Sequence, residues 1–168
     1  MSHFNVLKGA YPNLQQLDKT LPLGTGGTNL VRGSVMHVAN NKFVPSADDT
    51  ASHGTAGTPG PICYFCLHNA ADPDVQMAGG ITGLSCSMPM EVETDQFDTS
   101  SIVLGSYVMA GANAKLTLHT TGKTAIGLVT KAAYSRWSNN AVAVAGVKTG
   151  NRISVIGLWT MYAPELAI

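Results

Sequence analysis

The stretch GGITGLSCSMPMEVETDQF, Gly79–Phe97, opens as a small-residue turn and closes on a strict alternation of Met90, Val92 and Thr94 with Glu91, Glu93 and Asp95. A period of two is the signature of a β-strand with one apolar and one polar face. Three carboxylates at i, i+2 and i+4 have three readings: the wet side of a sheet, part of a metal or acid/base site, or a polar contact with a neighbouring subunit. Carboxylates buried without a partner are strongly disfavoured, so the expectation is a solvated strand face or a rim contact.

The same short period recurs on both sides of this stretch. Upstream, LVRGSVMHV (30–38) alternates as a strand and Asn40-Asn41 turns it back, while ICYFCLHNA (62–70) is a short apolar run closed by ADPD. Downstream come SIVLGSYVMA, AKLTLHT, AIGLVTKAAY, AVAVAGV and RISVIGLWTMY, separated by Gly, Asn or Ser. In the last of these, Trp159 shares a face with Ile153, Val155 and Met161 and is expected in the core. Regular short strands without a long helical period predict an all-β fold with little helix, a small β-barrel or β-tulip/sandwich domain.

Two segments fall outside that pattern. Residues 45–61, PSADDTASHGTAGTPGP, combine three prolines and three glycines with small polar residues and read as a long exposed loop. Residues 1–29 read as an N-terminal arm ahead of a domain over 30–168: YPNLQQLDKT holds a helical turn or two, and LPLGTGGTN ends it. Phe4, Val6, Leu7, Tyr11, Leu14 and Leu17 give this arm apolar side chains with no evident share in the domain core, so they are the candidate contacts with another protein.

A chain of 168 residues fits one domain and buries roughly 70% of its unfolded surface, enough for a core without disulfides or metals. Only 12% of residues are charged, and ten Lys and Arg balance ten Asp and Glu. A neutral chain has no electrostatic drive toward nucleic acid or anionic membrane, and near-zero net charge favours association with other protein. No apolar run reaches the length of a membrane span, and the N-terminus lacks the basic start and apolar core of a leader, so the reading is intracellular.

Cys63, Cys66, His68 and Cys86 are four potential zinc ligands, and the two-residue gap of CYFC suits half of a tetrahedral site. A second closely spaced pair is missing, so buried reduced cysteines are the expectation, with neither metal nor cofactor. TTGKT (120–124) has the wrong spacing for a phosphate loop, and no Gly-x-Ser-x-Gly elbow accompanies the five histidines. His119 continues the alternating face of Lys115 and Thr117. The chain is expected not to be an enzyme.

In their order, DVQMAGGITGLSCSMPMEVETDQFD, IVLGSYVMA with AKLTL, AIGLVTK and VIGLWTMYAPEL resemble the capsid decoration (cement) proteins of tailed bacteriophages, over roughly Leu21 to Leu166. The resemblance implies a small β-barrel or β-tulip, usually a homotrimer, whose flexible N-terminal arm clamps neighbouring major capsid protein subunits on the capsid exterior. It implies no catalytic residues. The protein would be made in the host cytoplasm and carried on the virion. The alternatives are another β-rich virion part, such as a tail-tube or head-fibre subunit, or a small β-barrel glycan-binding module using Trp137.

Overall fold

A computed structural model describes residues 4–8, 18–46, 63–86, 90–98, 102–120, 125–134 and 152–157. The architecture is all-β. Among the described residues eleven strands run in chain order: β1 Phe4–Lys8, β2 Asp18–Leu21, β3 Val35–Ala39, β4 Lys42–Pro45, β5 Cys63–Cys66, β6 Ile81–Ser85, β7 Glu91–Thr94, β8 Tyr107–Ala110, β9 Leu116–Leu118, β10 Gly127–Tyr134 and β11 Arg152–Gly157. They form two antiparallel sheets, a six-stranded one in the order β1-β7-β11-β10-β8-β9 and a five-stranded one in the order β2-β6-β5-β3-β4. Among the described residues no ladder joins the two sheets.

Alternation decides which side chains meet between them. Val92 pairs with Val6 on one side and Val155 on the other, and Val155 pairs with Val129, so one apolar row crosses four strands of the larger sheet. It faces Val35, Phe65 and Leu84 of the smaller sheet in a shared core with Ile153, Val108 and Leu116. Each fully buried side chain of this size stabilises the fold by roughly 1.5–3 kcal/mol relative to exposure. Thr94, also buried, links the sheets through a bond from its Oγ1 to the Gly33 carbonyl, 3.4 Å.

The smaller sheet is covered on its other face too. Met36, Phe43, Cys66 and Ile81 point there, beneath Leu21, Leu30, Ala70, Val75 and Ala114. This second core explains Gly83 at the middle of β6. A Cβ there would stand 2.5 Å from Met36 Cε and 2.9 Å from both Phe43 Cζ and Tyr64 Cβ, so only glycine lets the second layer lie this close. The β3–β4 hairpin turns at Asn40 and Asn41, with φ of 49° and 58°, as two left-handed asparagines do best.

Three expectations are corrected. The proposed arm does not stand outside the domain: β1 is an edge strand of the larger sheet, β2 is an edge strand of the smaller one, and the segment 22–34 leads into the second core. The helical reading of YPNLQQLDKT fails at its end, because Asp18–Leu21 pairs with β6; residues 11–17 lie outside the described residues. The closing ADPD is also the start of a six-residue helix, α1, Pro73–Ala78. Proline in its first turn, Asp72 at its N-cap and Gly79 at φ +65° just past its end are ordinary boundary signals. Residues 47–61 of the proposed loop, the AVAVAGV run, Trp137 and Trp159 lie outside the described residues.

Candidate functional site

The acidic row is not a wet face. Glu93 is 5% exposed and pairs with Arg152, Nη1 to Oε1 3.3 Å. Glu91 accepts from the Thr130 hydroxyl at 2.7 Å, and Asp95 accepts from the Gln96 amide at 2.7 Å. Glu93 sits opposite Asn5 on β1 and the fully buried Ser154 on β11, so the outward side of β7 is a polar network. Alternation placed the carboxylates on the outer face; the partners of Glu91 and Glu93 come from β10 and β11, some 40 to 60 residues away in sequence, beyond the reach of a local pattern.

The four potential zinc ligands are separated by the pleat of β5. Cys63 and Cys66 are an odd number of residues apart on one strand, so they leave the sheet on opposite faces. Cys63 and Cys86 enter the core between the sheets, Cys66 enters the second core, and His68 is exposed beyond the strand. Cys66 donates to the His68 carbonyl at 2.9 Å. All three cysteines are buried thiols. Burial pushes Cys63 and Cys66 up to about 11 and raises Cys86 well above the ordinary thiol value. Among the described residues no group of three or more His, Cys, Asp or Glu is placed to hold a metal ion, and no helix is long and apolar enough to cross a membrane.

Of the six candidate contact residues, Phe4 is 3% exposed and Val6 packs against the core; both are committed to the fold. Leu7 points outward and is exposed. Tyr11, Leu14 and Leu17 lie outside the described residues.

A different apolar surface emerges at the start of β8. Val103 and Leu104, 54% and 67% exposed, sit on a tight turn closed by Ser106, whose N–H donates to the Val103 carbonyl at 3.0 Å and whose Oγ accepts from the Val103 N–H at 3.1 Å. Gly105 takes φ +81°, which an L side chain rarely adopts. The turn is fastened to β10 on both sides, Gly105 N–H to the Val129 carbonyl and Val129 N–H to the Ser106 carbonyl, each 2.9 Å. It runs directly into β8, where Val108 pairs with the exposed Leu118 and the Tyr107 carbonyl accepts from the His119 N–H. The result is a pre-formed apolar turn leading into β8 and fastened to β10. SIVLG carries its sequence signal, an apolar pair before glycine, which reads equally well as the start of a strand. No family model, curated protein or solved structure matches this chain.

Proposed function

We propose that this chain is a virion structural protein that binds the outer surface of a capsid shell and stabilises it, as the decoration proteins of tailed bacteriophages do. The observation that carries the reading is the anchored turn presenting the exposed Val103 and Leu104 on a chain whose charged fraction is only 12%. A rigid apolar corner costs little conformational entropy to bury, and a neutral surface offers nothing to repel a protein lattice. The partner is the major capsid protein. A homotrimer presents the corner three times and gains by avidity what one corner lacks. In this reading the two antiparallel sheets correspond to the small β-barrel or β-tulip/sandwich domain of that class. In this reading the protein is made in the host cytoplasm, resides on the capsid exterior, needs no cofactor and catalyses nothing.

The test is co-sedimentation of the purified protein with shells that lack it, alongside a Val103→Asp, Leu104→Asp variant checked by circular dichroism. Wild-type protein is expected to pellet with the shells, and the folded variant to stay in the supernatant. Assembly of the free protein into stacked rings, with no binding to shells, would favour a tail-tube subunit instead.

A further inference from the structure

Cys63 opens β5 and Cys86 stands one residue past the end of β6. The register that pairs Phe65 with Leu84 and Tyr64 with Ser85 continues by one step to set the two cysteines opposite each other, and the Cys86 N–H donates to the Cys63 carbonyl at 2.9 Å. Both side chains lie in the core between the sheets, whereas Cys66 lies in the other core. Opposed residues of a hydrogen-bonded antiparallel pair have Cα atoms about 5.5 Å apart, within the range at which disulfides are commonest, about 5.5–6 Å. Their Cβ atoms, about 4.5–5.5 Å apart, must close to about 3.8 Å. Such a bond is strained and correspondingly easy to reduce.

We propose that Cys63 and Cys86 are a redox-responsive pair that closes into a cross-strand disulfide, with Cys66 remaining a thiol. Closure ties the two ends of the segment that carries α1. The oxidant is a low-molecular-weight disulfide. The Cys63 thiolate attacks one of its sulfurs, forming a mixed disulfide and expelling one small thiolate. The Cys86 thiolate then attacks the Cys63 sulfur, forming the protein disulfide and expelling the second. Two electrons pass to the small disulfide, and the two protons lost by the cysteines are taken up by the two small thiolates.

Cys63 is the first thiol to react on chemical grounds. Its sulfur hydrogen-bonds the Ser46 side chain, which stabilises the thiolate, and Ser46 Oγ lies 3.4 Å from His37 Nδ1, on the residue paired with Cys63 across β3. The pair stands at the last described rung of its ladder, and its reaction proceeds through local opening. Without opening, burial keeps both thiols protonated and shielded.

The experiment incubates the full chain with oxidised glutathione, follows its fold by circular dichroism, counts thiols with maleimide in denaturant and maps linked peptides by mass spectrometry. The expected result is loss of two of the three thiols, a peptide joining Cys63 to Cys86, and a maleimide adduct at Cys66. Cys66→Ser is expected to give the same link, and reduced glutathione to reverse it. Retention of all three thiols, a lasting glutathione adduct at Cys63, a link between chains or a link that includes Cys66 would each overturn the proposal.

Discussion

Phe4, in the first strand of the larger sheet, packs its ring against Phe65 of the smaller sheet, centroids 5.4 Å apart and planes inclined at 36°. The contact ties the N-terminal strand into the core that the two sheets share. Replacing Phe4 with Ala removes a buried aromatic and leaves a cavity, which should cost about 3–5 kcal/mol. The check is a urea melt of Phe4→Ala beside Leu7→Ala, which removes an exposed side chain from the same strand and is expected to change little. Equal midpoints for the two variants would return β1 to the status of an arm.

Arg152 and Glu93 are both mostly buried, their side chains 17% and 7% exposed. Removing either charge leaves the other without its ion-pair partner, so Glu93→Gln and Arg152→Met are each expected to cost about 3 kcal/mol. Because the two side chains interact, the double variant should lose less than the sum, by about 1–2 kcal/mol. A double-mutant cycle by chemical denaturation measures this. Strict additivity would show that the pair is not coupled.

A side chain at Gly83 would collide with Met36, Phe43 and Tyr64. Gly83→Ala pushes the side chain of Met36, Phe43 or Tyr64 away from β6, an overpacking expected to cost about 1–3 kcal/mol. Differential scanning calorimetry should record a lower Tm. An unchanged Tm would mean that the second core yields without cost.

Alkaline pH tests the buried thiols. Cys63 and Cys66 are raised from 9.0 to about 11 by burial, and Tyr64 is raised in the same direction by burial and then by the neighbouring thiols Cys86 and Cys63. The unfolded chain therefore releases these protons at lower pH than the folded one. Between about pH 9 and about pH 11 the unfolded state binds fewer protons, so stability falls with rising pH; it is unaffected by these groups below that window. Denaturation midpoints in reductant across the window should decline, less steeply in Cys63→Ala. A flat profile would contradict the burial of these groups.

What the sequence shows best is periodicity. Runs of two-residue alternation became β3, β7, β9 and β11 because strand residues sample two faces whatever packs against them. The Asn40-Asn41 turn was equally legible, since its chemistry is local. The outer face of β7 was misread for the opposite reason. Its polarity is settled by Arg152 and Thr130, which arrive from distant strands. Phe4 was misread because glycines at 24–27 look like a boundary, although the chain before them supplies an edge strand to each sheet. The corner at Val103 and Leu104 is visible only once the turn is seen fastened to β10, since exposed and buried apolar pairs have the same letters.

The central claim is the place of this protein on a capsid, and the most direct measurement is a cryo-electron microscopy reconstruction of particles purified from cells that produce it. The account predicts three-fold density of the two-sheet domain on the outer shell, with the turn at Val103 and Leu104 against the major capsid protein. Density for the domain in the tail or inside the shell, or particles that lack the protein altogether, would contradict it.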